Sequence, residues 1–85
     1  MNLSSKKQSA KSISINWTEV GRRIRELRGF DLTQIEFANR IGISQNYLSN
    51  MENGRAEIGA EILLKIAWEF DKSIEWLLTG QERLT

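Results

Sequence analysis

The chain has 85 residues, with twelve Lys or Arg against eleven Asp or Glu, a formal net charge of +1, and no Cys, His or Pro. That length supports one small domain with a single modest core. Absent cysteine removes disulfides and thiolate chemistry, and absent histidine removes the usual general base and a common metal ligand. Enzyme readings therefore start poorly, and neither cofactor nor metal is expected.

Residues 1–15 are rich in Ser and Lys and show neither helical nor strand periodicity, the pattern of a flexible tail. Lys6, Lys7 and Lys11 fit two readings there: an arm that reaches around a duplex, or an ordinary solvated terminus. The domain proper is expected over 16–80, with 81–85 as a C-terminal tail. Asn16 has the position of an N-cap, Glu19 would complete a capping box, and Ile15 and Val20 would staple the entry. The first helix is predicted to run to about Arg28, burying Trp17, Val20, Ile24 and Leu27 before Gly29 ends it.

Thr33 and Glu36 form a second capping box at the head of a helix ending in Ile41. Gly42 follows where the chain must turn sharply, because a residue without Cβ accepts a left-handed backbone cheaply. Small Ala38 is expected to mark a close helix approach. Ser44 caps the next helix, which carries Gln45, Asn46, Ser49 and Asn50 on one side and Leu48 and Met51 on the other. The pair reads as a helix-turn-helix whose second helix is dressed in amides that suit base edges. Beyond Gly54, a fourth helix is predicted from about Ala60 to Phe70, with Leu63, Ile66, Ala67 and Phe70 on one stripe. Ser73 caps a fifth, with Ile74, Leu77 and Leu78 apolar and Gly80 closing it. No strand alternation, repeat or internal linker interrupts 16–80. No apolar run reaches membrane-spanning length and none has a secretory-signal layout, so a cytoplasmic protein is expected.

The charge is unevenly spread. Residues 1–55 hold nine basic residues against five acids, and 56–85 hold three against six. Such polarity gives a positive face to a polyanion, although scattered surface charge produces the same count.

These segments together resemble a known family, the lambda-repressor-like (Xre/Cro) DNA-binding domains. The matching pieces are Arg23-Ile24-Arg25-Glu26-Leu27-Arg28, Leu32-Thr33-Gln34, Phe37-Ala38, Ile41-Gly42-Ile43-Ser44 and Tyr47-Leu48-Ser49. They continue through Glu52-Asn53-Gly54-Arg55 and Glu61-Ile62-Leu63-Leu64-Lys65-Ile66-Ala67 to Ile74-Glu75-Trp76-Leu77-Leu78-Thr79-Gly80. The resemblance implies an all-α, five-helix domain whose third helix lies in the major groove of operator DNA. It also implies a homodimer on half-sites about 34 Å apart. Gln34 matches the family glutamine that touches phosphate and braces the recognition helix. Gln45 and Asn46 match its first base-reading positions, Ser49 and Asn50 the next exposed turn, and Asn53 and Arg55 the loop that holds the backbone. Two departures are Ile58-Gly59, where relatives often have Pro-Ser, and Asp71, where Gly is common. The Gly29-Phe30-Asp31 turn is also tighter than in many relatives.

Gln and Asn can give and take hydrogen bonds with adenine together, which is the chemical reason to place Gln45, Asn46 and Asn50 at bases. The free N–H groups at the heads of the second and third helices suit phosphates, which places Gln34 and Ser44 in the phosphate set, and the resemblance adds Asn53 and Arg55. Tyr47 either reaches a phosphate or packs beside Leu48. Arg28 or Arg25 is expected to pair with Glu52, and Arg40 to solubilise the second helix. Trp68 falls beside the buried stripe and reads as an interface, with Leu78 as company. Trp76 is either part of that patch or of the core. The expected function is sequence-specific double-stranded DNA binding as a transcriptional regulator, in particular a repressor. An antitoxin-type protein-interaction module with secondary DNA binding is the alternative.

Overall fold

The computed structural model describes residues 12–82, and every regular element among them is an α-helix: α1 (Trp17–Arg28), α2 (Gln34–Ile41), α3 (Gln45–Glu52), α4 (Ala60–Glu69) and α5 (Ile74–Thr79). The five-helix expectation holds, and Lys6, Lys7 and Lys11 lie outside the described residues. Helix starts follow the polar caps. Asn16, Thr33, Ser44 and Ser73 each accept from the backbone N–H three residues on. The capping box is complete at α2, where the Thr33 N–H donates to Glu36 Oε1 at 2.9 Å. At α1 it is only half formed. Glu19 turns instead to Arg22, whose guanidinium donates to it at 2.7 Å, because a charged partner one turn on outcompetes a neutral N–H.

Gly42 takes φ 84°, and its N–H and that of Ile43 both donate to Ala38 O, at 2.8 and 3.0 Å. That pair of bonds ends α2 and swings the chain directly into α3. Asp71 adopts φ 57° after α4, so a residue with a side chain takes up this left-handed turn.

The core consists of Val20, Ile24, Phe37, Ala38, Ile41, Leu48, Met51, Ile58, Leu63, Ile66, Ala67 and Leu77. α1 packs on α3 and α5, while α2 packs on α3 and α4. Trp17 and Leu27, expected in the core, are half-buried against it, as are Ile74 and Leu78. Phe70 caps α4 rather than extending it, and its ring stacks on Phe37 with centroids 5.0 Å apart. Ala38 is buried on α2, which packs on α3 and α4. A close helix approach lies at Gly21, where a Cβ would collide with Met51 O and lie 2.8 Å from Glu52 O. α1 therefore lies bare against the end of α3.

Beside that contact sits Glu52, the one charged residue that is buried among those described. Its carboxylate accepts from Arg28 Nε at 2.7 Å and Arg28 Nη2 at 2.9 Å, and from Gln34 Nε2 at 3.0 Å. Burial alone would raise its pKa. The hydrogen bonds from Arg28 and Gln34, with the charges of Arg28 and Arg25, outweigh it and hold the carboxyl below its ordinary 4.5. The choice left open between Arg25 and Arg28 resolves toward Arg28, with Arg25 Nε at 3.6 Å.

Two outcomes are expected. Gly21→Ala should lower the unfolding free energy in urea by at least about 1–3 kcal/mol, the scale of overpacking, since backbone must move. Because the folded Glu52 is the stronger acid, its contribution is present above the unfolded pKa and lost as pH falls through the folded value. The thermal midpoint should thus drop on acidification below about pH 4.5, and less steeply in Glu52→Gln.

Candidate nucleic-acid interface

α3 has two unlike sides. Leu48 and Met51 are fully buried, whereas Gln45 and Asn46 are exposed at its first turn, with Ser49 and Asn50 half-buried on the next. Burying the apolar pair fixes the rotation of the helix, so the amides face outward as a consequence of packing. Ser44 is exposed and caps α3 through the Tyr47 N–H at 3.0 Å. The Tyr47 ring is half-buried against the core, which favours its packing role.

Gln34 opens α2 and Gln45 opens α3, and the two amides meet: Gln45 Nε2 donates to Gln34 Oε1 at 3.3 Å. The heads of both helices therefore share one edge. Each adds unpaired backbone N–H groups and the positive end of its dipole there. At the other end of α3, Asn53 Nδ2 donates to Ser49 O at 2.9 Å, and Arg25 Nη2 donates to Asn53 Oδ1 at 3.3 Å. Arg25 is half exposed. With Arg28 and Arg25 against the single Glu52 carboxylate, this corner keeps a surplus positive charge. Arg55 is exposed, and its guanidinium has no hydrogen-bonding or ionic partner among the described residues.

Gln34, Ser44, Gln45, Asn46, Ser49, Asn50, Asn53 and Arg55 thus fall on α3 or immediately beside its ends. Trp68 lies on α4, and Trp76 and Leu78 lie on α5. Trp68 is 75% exposed in a groove with Arg40, Lys65 and Glu69. Leu78 lines a separate groove with 12–16 and Arg23. Trp76 is half-buried on the core with Lys72 Nζ 4.9 Å from its ring centre. Arg40, expected only to solubilise α2, pairs with Glu69 at 3.4 Å.

Two participants escaped the sequence. Arg25 is expected only as the alternative to Arg28 at Glu52, but it also braces Asn53 from a different helix. Gln34 is expected at phosphate and as a brace for the third helix, but its bond to Glu52, 18 residues away, is not foreseen. Helical spacing places residues on faces, and it is silent on which faces meet across such separations.

A family profile described as helix-turn-helix matches residues 22–77. The chain is 44% identical over 55 residues to antitoxin PezA of Streptococcus pneumoniae, across 64% of this chain and 35% of that protein. It is 40% identical over 62 residues to the propionyl-CoA carboxylase regulator of Cereibacter sphaeroides, across 72% of this chain and 13% of that one. It thus spans about a third or less of these curated relatives. Among solved structures, the P22 c2 repressor in complex with a synthetic operator superposes with a TM-score of 0.68 at 28% identity, covering 73% of this chain and 96% of the repressor chain. With this profile match and this five-helix architecture, the chain belongs to the lambda-repressor-like helix-turn-helix family.

Proposed function

We propose that the chain binds double-stranded operator DNA sequence-specifically and regulates transcription, acting as a repressor in the cytoplasm. The observation that carries this is the outward pair Gln45 and Asn46 on a helix whose other side is sealed into the core. The similarity to a repressor crystallised with its operator supports the same reading. In it, Gln45, Asn46, Ser49 and Asn50 meet base edges in the major groove. Gln34, Ser44, Asn53 and Arg55 hold phosphates, joined by Arg25, with Tyr47 alongside. Lys6, Lys7 and Lys11 serve as a basic arm. Two copies bind related half-sites about 34 Å apart, with Trp68 as the leading contact and Trp76 and Leu78 as lesser ones. No cofactor, metal or membrane enters this scheme.

A second reading is favoured by the similarity to an antitoxin: a protein-binding module for which DNA is secondary. The exposed Trp68 groove then receives a polypeptide. The two readings separate in a titration of upstream duplex against random duplex at two salt concentrations.

Gln45→Ala should weaken binding to the preferred duplex by about 5- to 150-fold, the worth of a bidentate base contact, with little loss on random DNA. Equal losses on both duplexes count against base reading. Arg55→Ala should weaken binding on every sequence and reduce the slope of log affinity against log salt by about 1. Trp68→Ser should lower the mass of the complex on a full operator in analytical ultracentrifugation from two copies to one. An unchanged mass excludes Trp68 from the dimer contact.

A further inference from the structure

We infer that buried Glu52 is a positioning residue that decides which atoms of Gln45 face the bases, and so shares in sequence choice without touching DNA. The inference rests on the DNA-binding reading above and deepens it. A carboxylate only accepts hydrogen bonds. Glu52 Oε1 takes Gln34 Nε2 at 3.0 Å, so the Gln34 amide has its nitrogen turned inward and its oxygen outward. That oxygen accepts from Gln45 Nε2 at 3.3 Å. The amide orientations are therefore dictated by the chain of bonds rather than free to exchange.

The order of donation runs in one direction, from Gln45 to Gln34 to Glu52, and ends on a side chain with no exposure at all. Gln45 is left with its Oε1 and one N–H for the groove. An acceptor beside a donor matches adenine, which offers N6–H and N7 on its major-groove edge. Guanine offers two acceptors, O6 and N7, and meets the Oε1 of Gln45 with a like lone pair. The rotated amide, with its whole NH2 group toward the groove, would suit guanine instead. Glu52 blocks that rotation from two side chains away.

Glu52→Gln supplies the inverse case. With the new carboxamide oxygen kept on Arg28 Nε, the shorter of the two bonds, the Nη2 bond is given up and the new NH2 group stands where Oε1 was, toward Gln34. Gln34 must then present its oxygen inward and its nitrogen outward, and Gln45 follows with its oxygen toward Gln34. Its NH2 group is released to the groove. The bond order along the chain is reversed with no change in the side chain that reads the base.

The test selects duplexes from a randomised pool with wild type, Glu52→Gln, Gln34→Met and Gln45→Ala, and then titrates matched duplexes directly. The Gln45 position is the base pair whose preference disappears in Gln45→Ala. Wild type is expected to favour adenine over guanine there by at least tenfold. Glu52→Gln should erase or invert that ratio while other positions keep theirs, an effect that a loss of stability alone does not produce. Gln34→Met leaves the Arg28–Glu52 pair intact and cuts the chain in the middle, so it should erase the ratio without inverting it. It also decides the matter if Glu52→Gln does not fold. An unchanged ratio in Gln34→Met or in folded Glu52→Gln overturns the inference while leaving DNA reading by Gln45 intact. Wild type that enriches no sequence overturns both.

Discussion

Glu52 lies one turn beyond Leu48 on α3, sealed from solvent, with Arg28 of α1 and Gln34 of α2 both bonded to it. Three of the five helices thus converge on one carboxylate. Buried ion pairs contribute little net stability, since desolvation offsets much of the attraction, yet losing one partner costs about 3–5 kcal/mol. Their stronger effect is on uniqueness. Leu48 and Met51 set which side of α3 faces the core, and a charge with three directed donors narrows its depth and register further. The helix that carries the exposed amides is therefore fixed by a polar contact as much as by Leu48 and Met51.

The same corner explains how the electrostatics of an almost neutral chain become local. Arg25 and Arg28 share a single counter-charge, and Asn53 draws Arg25 toward the loop that holds Arg55. The head of α3 at Gln45 adds its positive dipole end at the opposite end of that helix, and the head of α2 at Gln34, bonded to both Gln45 and Glu52, adds its own between them. A polyanion meets a flanked helix with positive potential at both ends and neutral hydrogen-bonding groups between. That division suits phosphate gripping at the rims and base contact at the centre.

Most of the fold was legible because its signals are local. Asn16, Thr33, Ser44 and Ser73 mark helix starts through bonds that span three residues, and Gly42 marks a turn through its own backbone angle. The outward placement of Gln45 and Asn46 followed from the periodicity that buries Leu48 and Met51. What was illegible depends on pairs far apart in the chain. Gly21 reads as an unremarkable small residue inside a helix until the carbonyls of Met51 and Glu52 are brought against it. Glu19 was misassigned because two local partners competed and only the charge of Arg22 decides. Trp68 and Leu78 were grouped by hydrophobicity, but they sit in separate grooves because α4 and α5 turn different faces outward.

The bare crossing at Gly21 carries a mechanical consequence. Side chains between helices act as cushions that allow small sliding shifts, and at Gly21 none separates the α1 backbone from the carbonyls of Met51 and Glu52. That contact resists sliding of α3 against α1. Under the proposed DNA-binding reading, a duplex that departs from the ideal spacing or twist would take up the strain itself, which would favour sequences that bend or overwind easily at base pairs the protein never reaches.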